Sequence, residues 1–493
     1  MLRPMRLGID FGTTRTVVSA AVDGRYPVAM FEDGGEFREH VPGIAALVDG
    51  ELVVGWDAAR ALAAGTAEHA VRSIKRVIGA MAPDAEALPG VTALELATAF
   101  LVGLRTSLEE RSNIELSGTL EAMVAVPANA ASRQRWLTLE AFRRAGFEPV
   151  GLLNEPTAAA VEHAHLHLDL EGKKKSPKRY VVVYDLGGGT FDTSAVSLEG
   201  RRFDLIASEG LSRLGGDDFD ELLLEVAGVA PSADTLERAR EAKETLRPTT
   251  RKLHLQLADR EVAIDVAELY ARAQPLIEQT LAQTEQLFER LRERGIDPED
   301  PRELGGVYVV GGGSAFPAVA RSLRARFGKK LQLAPQPFAA TAVGLAIAGD
   351  PDAHVMVREA ITRHFGVWRE ADHGVDKVFD PLLGKDTAGP VTITRRYRPR
   401  HTIGHLRFLE CGALDRKGQP TQDLVPWADV YFPYDPSLAD AGELATVPNQ
   451  RRADLGDNEI AETYTYGNDG TISVRIENVS RGYARNYDLG ALR

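Results

Sequence analysis

Two distant segments of the chain repeat one pattern of apolar and polar residues. Each has an apolar strand, an acidic residue, a glycine turn followed by threonine, and a second apolar strand; the segments are 5–22 and 181–198. Asp10 and Asp185 occupy matching positions in the two segments. A glycine turn between two apolar runs predicts a β-hairpin, and the repetition predicts two similar lobes within one chain.

Helical periodicity dominates the rest of the first 349 residues and fades after about Gly349. The pattern predicts strands at 122–127 and 306–310, a helix that begins at Asn154, and helices at 58–65, 92–107, 132–145, 235–246, 266–294 and 317–327. Short alternating runs then predict strands at 364–368, 391–395, 405–409, 428–432, 462–466 and 471–477, with a hairpin turn at 468–470. We therefore expect a mixed α/β region followed by a β-rich domain.

Composition is that of a soluble globular protein with several domains. The 493 residues include 58 basic and 71 acidic side chains, for a net charge of −13, and 44% are hydrophobic. The acidic balance argues against a general nucleic-acid binder or a binder of anionic membranes. The single cysteine, Cys411, excludes an internal disulfide and is expected to be buried. We recognise no secretory signal or membrane span, so a cytoplasmic location is expected.

Three glycine turns, each after an apolar strand, are the candidates for binding phosphate. They are Gly12-Thr13-Thr14, Gly187-Gly188-Gly189-Thr190 and Gly311-Gly312-Gly313-Ser314. Glycine lets backbone N–H groups approach phosphate oxygens, and hydroxyl groups add donors. Neither a P-loop nor the dinucleotide-binding fingerprint is present. Turns that face each other across two lobes would hold one nucleotide, and carboxylates beside its phosphates imply Mg²⁺.

Six blocks of sequence carry a family resemblance over residues 5–349. They are Ile9-Asp-Phe-Gly-Thr-Thr14, Ser73-Ile-Lys-Arg-Val-Ile-Gly79, Asn154-Glu-Pro-Thr-Ala-Ala-Ala160, Tyr184-Asp-Leu-Gly-Gly-Gly-Thr-Phe-Asp192, Gly215-Gly-Asp-Asp-Phe-Asp220 and Val310-Gly-Gly-Gly-Ser314. In order and spacing they resemble the DnaK-type heat-shock chaperones of the seventy-kilodalton class. The resemblance implies an actin-like, ribonuclease H-like ATPase domain at 1–350, with lobes at about 1–180 and 181–350. A linker at 351–358 and a β-rich, sandwich-like domain for peptides or partners at 359–493 would follow.

The resemblance also implies roles for single residues. Lys75 resembles the lysine that orients the attacking water, and Glu155 resembles the glutamate that couples Mg²⁺ to the lobe interface. Asp10, Asp185 and Glu155 would hold Mg²⁺ largely through waters, and Thr190 and Asp192 would lie near the γ-phosphate. The remaining nucleotide contacts implied are Gly12, Thr13, Thr14, Gly187, Gly188, Gly189, Gly215, Gly216, Lys243, Gly311, Gly312, Gly313 and Ser314. Pro127 and Arg135 resemble a pair that relays the nucleotide state to the peptide domain.

The sequence departs from the family at the adenine side and at its end. Glu244 stands where the family has an arginine, Arg247 where it has a serine, and Ala315 where it has an arginine that stacks on adenine. Loss of such a stack costs about 0.5–2 kcal/mol if nothing replaces it. The tail resembles the peptide-binding sandwich only loosely, and since the sequence stops at Arg493 we expect no helical lid.

The leading hypothesis is a chaperone that couples hydrolysis of ATP to ADP with binding of an extended, apolar polypeptide. A J-domain co-chaperone is a further partner that the resemblance implies; nucleic acid and membrane are not expected. The alternative is a nucleotide-dependent recruitment module with little foldase activity, and a filament-forming actin relative is a third, weaker hypothesis. His163 and His167, spaced to share a metal, are interpreted as a solvated helix end, and the basic run 173–179 as a solvated loop.

Overall fold

The computed structural model describes residues 4–168, 178–371, 376–385, 387, 389–427, 429–467 and 470–489. They form two compact units. The first contains Met1–Asn129 and Thr138–Arg358, and the second contains Ala130–Leu137 and Glu359–Arg493. In the described ranges, no helix combines the length and the apolar character that crossing a membrane requires.

The amino-terminal lobe of the first unit is built around a five-stranded sheet with the order β12-β11-β1-β2-β5. Its strands are β1 (Met5–Phe11), β2 (Arg15–Ala20), β3 (Phe31–Asp33), β4 (Glu36–Arg38), β5 (Val41–Pro42), β6 (Ile44–Val48), β7 (Glu51–Val54), β8 (His69–Arg72), β9 (Glu86–Leu88), β10 (Val91–Thr92), β11 (Leu120–Val126) and β12 (Glu148–Asn154). Its helices are α1 (Gly55–Ala64), α2 (Ile74–Gly79), α3 (Ala93–Arg111) and α5 (Glu155–His167), together with α4 (Ser132–Arg144) from Thr138 onward. A capping box between Thr92 and Glu95 begins α3, because each satisfies a backbone N–H of the other.

The second lobe is built around a six-stranded sheet with the order β19-β18-β13-β14-β15-β20. Its strands are β13 (Tyr180–Leu186), β14 (Phe191–Ser197), β15 (Arg202–Leu211), β16 (Lys252–Gln256), β17 (Glu261–Asp265), β18 (Leu304–Val310), β19 (Leu331–Leu333) and β20 (Met356–Arg358). Its helices are α6 (Gly216–Ala227), α7 (Ala233–Glu244), α8 (Val266–Glu293) and α9 (Pro317–Phe327), followed by α10 (Ala340–Gly349). All seven residues of β13 are buried, as expected for a central strand with both faces covered.

The internal repeat in the sequence corresponds to a repeat in topology. In each lobe a hairpin strand pairs antiparallel with its partner and parallel with a later strand: β1 with β2 and β11, and β13 with β14 and β18. Asp10 lies opposite Val17 near the end of β1, and Asp185 lies opposite Asp192 near the end of β13. The prediction of two hairpins is therefore confirmed, and the repeated topology agrees with the similarity expected between the two segments.

Helix α10 packs between β1 and α5 because its contact face is made of small residues. A side chain at Gly344 would overlap the carbonyl oxygen of Ala158 in α5, and one at Gly8 in β1 would overlap the backbone of Ala342 and Ala346. Such close approach fixes where β1 and α5 stand relative to each other. These two elements carry Asp10 and Glu155.

The second unit contains two antiparallel sheets over residues 359–489. Its strands are β21 (His364–Ala371), β22 (Asp376–Leu383), β23 (Val391–Tyr397), β24 (Ile403–Cys411), β25 (Ala413–Leu414), β26 (Pro420–Thr421), β27 (Val425–Pro426), β28 (Val430–Pro433), β29 (Ile460–Tyr466), β30 (Ile472–Asn478) and β31 (Tyr483–Asp488). One sheet has the order β22-β21-β24-β27, with β28 also paired to β24, and the other has the order β23-β29-β30-β31. Their shared core includes Phe365, Phe408, Phe432 and Tyr464.

Most predicted elements are present, with ends that shift by a few residues. The helix predicted at 317–327 has the predicted bounds, and Cys411 is buried as expected. Two residues of the predicted turn at 468–470 lie outside the described residues, but the strands it joins pair as a hairpin, with Tyr466 opposite Ile472. The predicted linker contains a strand that the sequence pattern did not indicate, because β20 pairs parallel with β15.

Replacing Gly344 with alanine tests the packing of α10. The added methyl group meets backbone atoms, which cannot rotate away, so we expect the free energy of unfolding to fall by about 1–3 kcal/mol. Gly442→Ala is the control, because nothing lies within 4 Å of a side chain built there. Urea unfolding followed by circular dichroism measures both variants, and equal stability of the two would contradict the packing argument.

Candidate nucleotide-binding site

A cleft of about 800 Å³ lies between the two lobes of the first unit. Both lobes contribute to its lining through the predicted glycine turns and acidic residues. The predicted residues among those that line it are Asp10, Gly12, Thr13, Thr14, Glu155, Asp185, Gly187, Gly188, Thr190, Gly216, Lys243, Gly311, Gly312 and Gly313. The fold thus brings together groups that are up to 303 positions apart in the chain.

The glycine turns approach one another so closely that side chains would not fit between them. A side chain at Gly188 would overlap the Thr14 hydroxyl, and one at Gly313 would lie 2.7 Å from the carbonyl oxygen of Gly187. The Thr14 hydroxyl is buried and has no hydrogen-bond partner among the residues that the structure describes. A buried hydroxyl without a partner is costly, so a polar ligand at this point would satisfy it.

Four carboxylates and one lysine form the acidic centre of the cleft: Asp10, Asp185, Asp192, Glu155 and Lys75. The Lys75 ammonium, only 3% exposed, forms an ion pair with Glu155. Burial raises the pKa of Asp10 to about 7 and that of Asp192 to about 8, with the charge of Glu155 adding to both shifts. The pKa of Asp185 lies well above its ordinary value for the same reasons, with the charges of Asp192 and Asp10 adding to the shift. One lysine does not offset this negative charge, so the centre favours an additional cation.

Lys75 is positioned by the unusual start of α2. Ser73 precedes this helix with φ of 57°, in the left-handed region that residues other than glycine seldom adopt. Its hydroxyl donates a 2.5 Å hydrogen bond to Asp217 at the beginning of α6. This contact from lobe to lobe holds the turn from which Lys75 extends toward Glu155.

The residues present fit a hydrated magnesium ion. One oxygen of Asp10, Oδ1, is buried and has no hydrogen-bond partner in the described ranges, although the carboxylate lines the cleft. In the part of the chain that the structure describes, no three His, Cys, Asp or Glu side chains are grouped to bind a metal directly. Mg²⁺ retains several waters and is often held through them, so carboxylates spaced around a cleft suit it.

The end of the cleft beside α7, where the sequence analysis placed the adenine base, differs most from the family pattern. Lys243 donates a 2.6 Å hydrogen bond to the carbonyl of Gly216, and its ammonium lies 2.6 Å from Asp220. Glu244, next along α7, forms a 2.5 Å ion pair with Arg15 of the opposite lobe. The Arg15 guanidinium also lies 5.7 Å from the centre of the Phe338 ring.

Sequence reasoning missed Arg15, Phe338 and Arg240, all of which line the cleft. The signal for Arg15 was Glu244, an acidic residue where the family has an arginine. Such a reversal of charge indicates that Glu244 has a basic partner nearby, and Arg15 directly follows the first glycine turn. Phe338 offered no comparable signal, because it follows Pro337 in a stretch without periodicity. Arg247 donates to the carbonyls of Glu244 and Leu246 at the end of α7.

Some predicted residues lie behind the cleft surface. Asp192 is 3% exposed and accepts a 3.3 Å hydrogen bond from Asn129. The Ser314 hydroxyl donates to the Gly311 carbonyl at 2.6 Å and so stabilises the third glycine turn. Gly189 and Gly215 are packed against Thr13 and Gly188, respectively, and Ala315 is exposed without lining the cleft.

The predicted relay residues fall in different units. Pro127 is buried directly after β11 in the first unit. Arg135 is 3% exposed, belongs to the short segment of the second unit, and donates a 3.3 Å hydrogen bond to the Ala130 carbonyl. Their role as a relay stays a prediction.

The two histidines of α5 have partners within the protein. His163 is buried and lies 2.7 Å from the side-chain oxygen of Gln332, and its ring is 4.8 Å from that of His167. Burial lowers the pKa of His163 to about 4. His163 is thus a core residue rather than part of the solvated helix end expected, and most of the basic run 173–179 lies outside the described residues.

Comparison with known proteins connects this site to one family. A family model described as Hsp70 protein matches residues 6–357. The chaperone protein HscA homolog of Chromobacterium violaceum is 34% identical over 374 residues, which cover 70% of this chain and 58% of the relative. The HscA homolog of Histophilus somni is 30% identical over 434 residues (80% and 65%), and the chaperone protein HscA of Cronobacter sakazakii is 31% identical over 407 residues (74% and 62%). The chain thus spans about three fifths of the length of these relatives.

The raised pKa of Asp192 predicts how the stability of the empty protein depends on pH. Folding raises the pKa of this carboxyl, so its protonated form favours the folded state. This contribution to the free energy of unfolding is fully present below about pH 4 and is lost as the pH rises through about 8. The free energy of unfolding of Asp192→Asn should therefore equal that of the wild type near pH 4 and exceed it at pH 8.5 by an amount on the order of 2 kcal/mol. Chemical unfolding in chelator measures this difference, with Asp259→Asn, an exposed turn residue, as the control. A difference independent of pH would contradict the assignment.

The ion pair between Arg15 and Glu244 predicts a salt-dependent connection between the lobes. Glu244→Gln should speed release of a fluorescent adenine nucleotide by about two- to fivefold at low salt, because it removes a half-exposed pair worth up to about 1 kcal/mol. The effect should disappear at high salt. Glu241→Gln, an exposed neighbour on α7, is the matched control, and equal release rates for both variants would exclude this role.

Proposed function

The chain belongs to the Hsp70 family, and on that premise we propose that it is an ATP-dependent chaperone. It binds Mg²⁺·ATP in the cleft of the first unit, hydrolyses it to ADP, and couples this cycle to the binding of an extended polypeptide by the second unit. The observation that carries the proposal is the acidic centre: Asp10, Asp185 and Glu155 line one cleft together with residues of three glycine turns, and the buried Lys75 pairs with Glu155.

The chemistry of phosphoryl transfer to water suits these groups. It needs positioning and neutralisation of charge more than covalent catalysis. Backbone N–H groups of the turns 12–14, 187–190 and 311–314 bind the phosphates, together with the Thr14 hydroxyl. Lys75, held by Glu155, orients the attacking water and adds positive charge beside the γ-phosphate. Magnesium, when bound through Asp10, Asp185 and Glu155, supplies further positive charge.

Coupling to the second unit is proposed to run through the end of the first. Val357 in β20 packs against a small core cluster made of Ala125, Leu153, Ala158 and Leu345. These residues belong to elements that also carry or adjoin the acidic centre, so a change of angle between the lobes would act on β20. A J-domain protein is the co-chaperone proposed, and the cytoplasmic location stays a prediction.

The recruitment module is the alternative, and the contact between Arg15 and Glu244 favours it. An ion pair that closes the base end of the cleft would slow exchange of nucleotide and favour one long-lived state. Such a protein would bind nucleotide and a partner with little turnover. Single-turnover hydrolysis separates the two functions, since the chaperone must convert bound ATP within its binding cycle.

Lys75→Ala tests the catalytic centre. It removes the charge that faces the γ-phosphate, so we expect single-turnover hydrolysis to fall by about 100-fold or more, while the affinity for ATP stays within a few fold. Lys252→Ala, at an exposed position of β16, is the control and should hydrolyse ATP as the wild type does. Unchanged hydrolysis in Lys75→Ala would remove this lysine from the mechanism.

Asp10→Asn and Asp185→Asn test the magnesium site. Each should lower the affinity for ATP in the presence of Mg²⁺ by about tenfold, and neither should lower it in chelator, where the carboxylates only repel the phosphates. Calorimetric titration with ATP under both conditions measures the difference. Equal losses with and without Mg²⁺ would show that these residues support the fold rather than the ion.

A further inference from the structure

The second unit contains a large groove whose walls are rich in arginine. It is lined by residues of β21 to β24 and by the segment 398–401, together with Tyr434, Asn449, Arg451 and Glu462. Residues 391–409 hold five arginines, two histidines and no acidic residue, in a chain whose net charge is −13. We call this feature the basic groove and define its free cations as Lys377, Arg398, Arg400, Arg407 and Arg451.

The carboxylates of the basic groove already have partners. Asp380 and Glu462 each lie 2.7 Å from the Arg369 guanidinium, and Asp380 also lies 3.3 Å from that of Arg395. Glu462, fully buried, accepts hydrogen bonds from the hydroxyls of Tyr397 and Tyr464. The third, Glu370, lies 3.2 Å from His401. Three carboxylates therefore face one lysine and seven arginines in the lining, which leaves an excess of positive charge.

The free cations have no carboxylate partner within the described residues. Arg398 and Arg400 donate only long hydrogen bonds, of 3.5 and 3.4 Å, to the carbonyls of Gly456 and Ala453. All five free cations are exposed. Like charges gathered on one surface repel one another unless an anion lies among them, so the groove is complementary to a negatively charged ligand.

Apolar surface in the basic groove is small. Val367, Ile403 and Leu406 line it but are at most 4% exposed, because their side chains belong to the core of the unit. Trp368 is half-buried and packs against Phe379 at 5.4 Å between ring centres. The groove therefore offers an apolar segment little area to bury, in contrast to the apolar client that the resemblance implies.

Two strands beside the groove favour a polypeptide as the ligand. β22 and β23 are the first strands of their sheets, and each contributes lining residues, Asp380 and Arg395 among them. An edge strand has backbone N–H and C=O groups available to an extended chain. A nucleic acid could use the cations but not these backbone groups. The tryptophan and tyrosine rings in the described lining, Trp368, Tyr397 and Tyr434, are half-buried or buried and leave little ring face on which a base could stack.

We propose that the basic groove binds an acidic, extended segment of a polypeptide, rich in Asp and Glu. This inference rests on the proposed function and specifies the substrate class of its second unit. The free cations pair with the carboxylates of the segment, and the edge strands bind its backbone. Acidic side chains replace apolar ones as the features that the protein selects.

Fluorescence anisotropy of the full chain tests the proposal with labelled peptides of equal length. One peptide is acidic, one neutral and apolar, and one basic, and a single-stranded oligonucleotide is the fourth probe. The acidic peptide should bind about tenfold or more tightly than the neutral one at low salt, and this preference should shrink as salt screens the charges. Tighter binding of the neutral peptide, or of the oligonucleotide, would overturn the proposal.

Variants of the free cations locate the binding. The double variant Arg400→Ala, Arg407→Ala should bind the acidic peptide about fivefold or more weakly than the wild type does, with little change in its affinity for the neutral peptide. Arg416→Ala is the matched control, since Arg416 is exposed in the same unit but does not line the groove. If Arg416→Ala and the double variant lose equal affinity for the acidic peptide, or if the double variant loses none, the assignment of binding to the groove is overturned. An unchanged near-ultraviolet circular dichroism spectrum and unchanged urea unfolding of the double variant check that its second unit folds.

The same titrations separate failure of the inference from failure of the proposed function. If the neutral peptide binds at least as tightly as the acidic one and ATP alters its affinity, the chaperone function holds and the acidic preference is wrong. If no peptide binds with or without ATP, both are wrong. If the acidic peptide binds through the free cations but ATP leaves its affinity unchanged, the proposed ligand of the groove is correct and the proposed coupling to ATP is wrong.

Discussion

The crowding of negative charge at the ends of β1, β13 and β14 is the constraint on which the first unit depends. Asp10, Asp185 and Asp192 are brought into a buried space together with Glu155, and Lys75 is the cation that pairs there. Burial makes each ionised carboxylate costly, and their mutual repulsion adds to that cost. The empty site is thus less stable than it would be with uncharged residues. Binding a cation together with a polyphosphate relieves this repulsion, so ligand binding and folding stability are linked.

Tight packing away from the cleft holds this arrangement in place. Helix α10 approaches β1 and α5 closely enough that Gly8 and Gly344 tolerate no side chain. Between the lobes, ion pairs connect Arg15 with Glu244, and Arg72 with Glu237 at 3.0 Å. Packing inside a lobe is rigid, whereas ion pairs between the lobes are exchangeable and sensitive to salt. The first unit therefore combines a rigidly held acidic centre with an adjustable opening.

The repeated pattern of strand, aspartate and glycine turn predicted the hairpins and placed Asp10 and Asp185 at corresponding strand ends. That inference succeeded because it depends on local alternation and on glycine geometry. Arg15, Phe338 and Arg240 were missed because their positions depend on how distant segments meet across the cleft. The basic groove was missed for a different reason: the net charge of the whole chain concealed a local run of arginines at 391–409. Pairing of charges, which decides which arginines stay free, is a property of the folded unit alone.

Strand β20 also bears on how this protein avoids self-association. It pairs through three residues with β15, and the Met356 N–H donates to the Arg201 carbonyl at 2.9 Å. When so short a strand leaves, the edge of a six-stranded sheet is exposed, and such edges promote aggregation. On β15, however, Arg202 and Asp204 flank the buried Phe203 and pair with each other at 2.8 Å. Charged side chains at a sheet edge disfavour pairing with a foreign strand, so this edge would stay protected from aggregation if β20 left it.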